Sequence, residues 1–159
     1  MTTFDFGNGP VSAHQHSNGG GWVADTATVS ESVFVGREAM VFDNAVVSGD
    51  AVVTGNARVY GNAKVYDNAE VYDNARVTGY AKVSGNAEVS GDARVYDNAW
   101  VSGNAWVTGD AWVSDNARVY GNAKVYDNAM VYDNARVYNN ARVYDNAWVT
   151  GNARVTGNE

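Results

Sequence analysis

Residues 56–79 read NARVYGNAKVYDNAEVYDNARVTG, four near-copies of one six-residue phrase. In each copy Ala and Val stand two apart, with a variable residue between them and Tyr or Thr after the valine. Alternation along Ala-x-Val-Tyr puts Ala and Val on one face of a short strand and x and Tyr on the other. Gly-Asn or Asp-Asn follows and suits a corner, because Gly and Asn tolerate positive φ and Asx side chains bond to nearby backbone. Such a strand cannot bury its valine alone, so successive units must stack.

The same period extends in both directions. Every sixth residue from Val23 to Val155 is valine, 23 in all, with no insertion. Four residues after the valines from Val23 to Val149, at positions 27 to 153, comes alanine at 21 of 22 positions, Val33 being the exception. At the second corner position from Asn44 onward, Asn occurs 16 times, Asp three times and Tyr once, at Tyr80. Low-complexity composition alone can signal disorder, but disorder does not require valine in strict register. Three units close a triangular coil, and coils stack at the strand spacing of about 4.8 Å. Residues 22–158 supply between seven and eight coils, a rod roughly 35 Å long at that spacing. The expected fold is all-β and single-domain: a triangular β-helix (β-solenoid) over residues 22–159, three hexapeptides per coil. Residues 1–21 precede it as an N-terminal cap with a Gly-rich hinge. The core is expected from rows such as Val59, Val77 and Val95 and the corner alanines Ala63, Ala81 and Ala99, since only a small side chain fits where two faces converge. The chain contains no Leu or Ile, so Val and Ala must carry that core alone.

An aliphatic residue followed four positions later by a small one resembles the hexapeptide-repeat left-handed β-helix family, over about 85% of the chain. That resemblance implies a left-handed coil, against the usual right-handed crossover rule. The head, GPVSAHQHSNGGGWVADTATV, is similar to that of uncharacterised bacterial and phage repeat proteins that open on Gly-Gly-Trp-Val. The wider family includes acyltransferases and carbonic-anhydrase-like zinc proteins, which use histidines on or beside the coils and loops that interrupt them. Here the repeat has neither, and the only histidines are His14 and His16 in the head.

Residues 18 apart share a face, which gives three outer rows at the x position. The first runs Trp22, Met40, Arg58, Arg76, Arg94, Trp112, Met130, Trp148; the second Thr28, Val46, Lys64, Lys82, Trp100, Arg118, Arg136, Arg154. The third runs Phe34, Val52, Glu70, Glu88, Trp106, Lys124, Arg142. Like charges directly opposite are unfavourable unless offset, so Arg58, Arg76 and Arg94 form a candidate anion site with forked guanidinium donors. Corner carboxylates such as Asp43 and Asp97 are the competing offset. Trp100, Trp106 and Trp112 lie six apart and belt the rod one per face, as candidate contact residues or as rings stacked on neighbouring strands.

Net charge is −7, with 18 acidic against 11 basic side chains, which argues against general nucleic-acid or anionic-membrane binding. There is no cysteine, so disulfides and thiolate metal sites are excluded. His14-x-His16 is a weak metal candidate, because zinc would need a third ligand that the chain does not supply nearby. Corner Asp rows are weak candidates for a hard cation, and no cofactor is expected. Tyr interrupts every Thr ladder, which argues against ice binding. No basic, apolar leader of the Sec type opens the chain and no long apolar run occurs, so a cytoplasmic or virion-associated location is expected. The expected function is a non-enzymatic rod that presents repeated rows to a partner. A transferase-like or metal-dependent enzyme and a binder of a small phosphate-bearing ligand are the alternatives. Self-association is expected through a C-terminal coil without a cap or through a flat face.

Overall fold

The structure is a computed structural model that describes residues 2–157. It opens with an antiparallel pair, β1 (Thr3–Asp5) and β2 (Pro10–Gln15), and β2 pairs antiparallel with β3 (Trp22–Ala24). From there the chain lays down one strand every six residues, from β4 (Thr28–Val29) to β25 (Arg154–Thr156). Among the described residues there is no helix, and none long and apolar enough to cross a membrane.

Every third strand joins the same sheet. The first face is a 10-stranded sheet from β1 to β24 (Trp148–Val149), the second has 8 strands from β4 to β25, and the third has 7 from β5 (Phe34–Val35) to β23 (Arg142–Val143). Within the coils all pairs are parallel and in 18-residue register, for example Arg76↔Arg58 and Val77↔Val59. The product is a three-sided β-solenoid of about eight turns. Its interior is the expected stack: Val59, Val77, Val95, Ala63, Ala81 and Ala99 are all 0% exposed and belong to one continuous core.

Most strands span two residues, x and Val, rather than the four that the alternation suggests. The cause lies in the corner. The Ala63 N–H donates to the Tyr60 carbonyl (3.4 Å), and this i to i+3 closure recurs around the coils, so alanine already belongs to a turn. The ladder still continues through the tyrosine position, where the Tyr60 N–H donates to Val77 O on the next coil (3.0 Å).

At the corners it is the first residue that takes positive φ, and this includes Asp. Asp115 has φ 55° and Asp133 φ 58°, in the left-handed region that non-Gly residues rarely adopt. Their carboxylates offset that cost. Asp115 Oδ2 accepts the Asp133 N–H of the next coil (3.1 Å), and Asp133 Oδ2 accepts the Gly151 N–H (3.0 Å). The following Asn side chains run in a second ladder: Asn68 donates to Asn86, Asn86 to Asn104 and Asn104 to Asn122 (3.2–3.3 Å). Many corners are thus tied to the next one by a carboxylate or an amide, and others, such as Asp50 to Asp67, by backbone alone.

Residues 2–21 extend the first sheet and fold over the first coil. Phe4 stacks on Trp22 (4.6 Å) and Phe6 on Phe42 (4.9 Å), giving a small second core with Ala13 and Ala24. The Gly-rich stretch is pinned to the third face: Val35 N–H donates to Asn18 O and Gly21 N–H to Val35 O, both 3.0 Å. Glycine is required there by close approach, since a Cβ on Gly21 would lie 2.3 Å from Gly36 O.

Two corner carboxylates give the fold an acid limit. Asp133 is held below the usual carboxylate value by the Thr150 hydroxyl and then the Gly151 N–H. Asp25 is lowered by the Ser12 hydroxyl and then by His14. Both groups are more acidic folded than unfolded, so their stabilisation is present above the unfolded value near 3.8 and is lost as pH falls through the folded values. Melting followed by circular dichroism should show a midpoint that is flat down to about pH 5 and drops below about pH 4. Asp133→Asn should lessen that drop.

Candidate functional site on the first face

The stacking register brings Arg58, Arg76 and Arg94 side by side on the first face, with Trp112 next in the row. Arg76 and Arg94 line a cavity of about 330 Å³ together with Tyr60, Thr78, Gly79, Tyr96, Asp97 and Trp112. Arg58 lies one coil further towards the N-terminus, outside that lining. Trp100 and Trp106 stand on the second and third faces, so the belt does not converge on one site.

The belt has an intramolecular role that six-residue spacing conceals and 18-residue spacing reveals. Lys82 and Arg118 sandwich the Trp100 ring at 5.3 and 5.6 Å. Arg94 lies over Trp112 at 5.2 Å and Lys124 over Trp106 at 4.4 Å. Each exposed contact of this kind contributes roughly 0.5–1 kcal/mol. It also relieves the like-charge rows, because Trp100 separates Lys82 from Arg118 within its ladder.

Corner carboxylates do not pair with the arginine ladder. Asp43 Oδ2 accepts the Gly61 N–H at 3.1 Å, and the only ion pair among the described residues joins His14 Nδ1 to Asp25 at 2.7 Å. The guanidinium of Arg94 is oriented by Trp112, while Arg76 has no ion-pair partner among the described residues.

The two histidines do not converge. His14 is exposed and bonded to Asp25, whereas His16 is buried and donates Nε2–H to the Val33 carbonyl at 2.9 Å. Among the described residues no three His, Cys, Asp or Glu side chains gather closely enough to hold a metal ion. The Asp rows face the next coil's backbone instead, as the Asp115 and Asp133 bonds show.

The feature missed by reading the x rows alone lies in the neighbouring row, at the position after valine. On the first face it runs Phe42, Tyr60, Thr78, Tyr96, Ser114 and Tyr132. Phe42 and Tyr60 are stacked at 4.8 Å with 1° between their planes. Thr78 breaks this aromatic row and creates the cavity. An 18-residue comparison of that position would have exposed the break.

Three parallel ladders around one Val/Ala core make the chain a β-solenoid repeat protein. Residues 69–85, 87–103, 123–139 and 135–151 match the family described as YdcK beta solenoid repeat. No curated protein and no solved structure matches the chain.

Proposed function

We propose that the chain is a non-enzymatic rod that presents its outer rows to a partner and associates with itself. One observation carries this reading: the coils are nearly invariant inside and variable outside, without an inserted loop, histidine or cysteine on the repeat. General-base and nucleophile chemistry therefore has few candidate groups there. The head's likeness to bacterial and phage repeat proteins supports a place in an assembly from such a source.

Exposed aromatic side chains on the outside of the rod support self-association: Tyr80 is 63% and Trp106 43% exposed, and a second copy docked face to face would cover such groups. Native mass measurement on the protein from cells tests oligomer and retained ligand together. An oligomer is the expected result; a strictly monomeric species in light scattering at tens of micromolar overturns self-association. Acyl-CoA-dependent turnover that disappears in His14→Ala with His16→Ala would overturn the non-enzymatic reading.

A further inference from the structure

We propose that the break at Thr78 is a binding slot for a planar aromatic ring carrying an anionic group, of the kind found in a purine nucleoside monophosphate. The proposal rests on reading the outer rows as the functional surface, and it names the ligand chemistry of one segment of them.

Phe6, Phe42 and Tyr60 form a continuous stack, with centroids 4.9 and 4.8 Å apart. The next rung is Thr78 and the one after it Tyr96, so two rings that line the cavity stand two coils apart. Two coil spacings are about 9.6 Å. A ring inserted midway would sit about 4.8 Å from each wall, the separation that Phe42 and Tyr60 already adopt. The ligand would supply the missing rung.

Not every small residue in these rows leaves a gap. Ser84, Ser90 and Ser114 are each buried to within 6% exposure. Trp100 Nε1–H reaches over to the Ser84 hydroxyl (3.4 Å), and Ser90 bonds to Thr108 (3.1 Å). Thr78 is only half-buried and borders the cavity. A volume of about 330 Å³ is at the lower end for small-molecule sites.

The polar groups flank the slot on opposite sides. Arg76 stands two residues before Thr78 on the same face, about 6.6 Å along the strand. Arg94 stands beside it with its guanidinium already laid over Trp112. Two forked donors so placed suit a phosphate or carboxylate a few bonds from the ring. At the other side, the corner carboxylate of Asp97 lines the cavity and would accept a hydrogen bond from an amino group on the ring's far edge. Donor edge, flat ring and anion, in that order, describe an aminopurine nucleotide.

Filling the gap gives a test that spares the fold, because tyrosine already occupies this position on the coils at either side. Titration of the full chain with AMP, followed by calorimetry or tyrosine and tryptophan fluorescence, should show saturable binding. Adenosine and inorganic phosphate should each bind at least tenfold more weakly, and IMP, which lacks the amino donor, more weakly than AMP. Thr78→Tyr should lower AMP affinity at least tenfold with an unchanged melting midpoint, Thr78→Ser should retain it, and Arg76→Ala should lose at least tenfold. The slot is overturned if the folded wild-type chain does not bind AMP at millimolar concentration, if Thr78→Tyr binds as the wild type does, or if phosphate alone binds as tightly as AMP. None of these results bears on self-association, which the mass measurement decides separately.

Discussion

Replacing Val101 with aspartate should split the unfolding of this rod into two steps. Val101 is 0% exposed and is sandwiched between Val83 and Val119 on adjacent coils. Its surroundings are the Val and Ala side chains of the central tube, which offer a carboxylate no hydrogen-bond donor. An unpaired charge in such a site costs roughly 3–5 kcal/mol. In a compact domain that penalty would weaken the whole molecule. In a solenoid each coil contacts only its neighbours, so the penalty falls on two interfaces near the middle. The N-terminal half keeps its cap and its Phe6–Phe42–Tyr60 stack; the described C-terminal half keeps its ladders and the Tyr120–Tyr138 and Tyr126–Tyr144 stacks. Hydrogen exchange in increasing urea should show one common transition in the wild type. In the Val101→Asp variant, amides beyond the lesion should lose protection first. A single transition, shifted as a unit, would show that the rod is more cooperative than nearest-neighbour stacking allows.

Much of this fold is legible in the sequence because its two determining features are strictly periodic. Val59, Val77 and Val95 repeat at 18 residues, and the observed pairing follows that register. Alanine at positions such as Ala81 marks the corners for the same steric reason. Legibility fails where an element is not repeated. The head pairs antiparallel, with His14 opposite Val23, and nothing in a unique 21-residue segment announces that register. Residue type at the corners did not reveal that Asp itself takes positive φ, because the compensating bond, as from Asp133 N–H to Asp115, comes from a coil 18 residues away.

The candidate site divides along the same line. The proximity of Arg76 and Arg94 follows from spacing. The cavity beside them does not, because it arises where Thr78 is small and its neighbours Tyr60 and Tyr96 are large. A ladder reading asks which residues are present at one position; a cavity depends on which one is missing. Trp100 illustrates the converse. As one member of a belt it looks like a contact residue, yet Lys82 and Arg118 occupy both of its ring faces.

The second large effect is expected at the cap, where Gly19→Val should release the head from the first coil. Gly19 has φ +110°, and a Cβ there would lie 2.2 Å from the Val35 carbonyl oxygen, a backbone atom that cannot swing aside. Relief requires the segment to lift. Three hydrogen bonds would go with it: Val35 N–H to Asn18 O, Gly21 N–H to Val35 O and His16 Nε2–H to Val33 O. At about 1 kcal/mol each, their loss costs about 3 kcal/mol. Val33 and Val35, now 0% exposed, would be left next to an unpaired strand edge, and such an edge pairs readily with another chain. Exchange should therefore quicken at Val35 and Gly21, and light scattering should reveal species heavier than the wild-type form at equal concentration. Gly20 supplies the control. It also has positive φ, at +80°, but no atom lies within 4 Å of a Cβ there, and Asn visits that region readily. Gly20→Asn should thus melt close to the wild type. Equal melting and equal mass for Gly19→Val would mean that the head does not seal the first coil, and the end of the rod would then have to be stable with its strand edge uncovered.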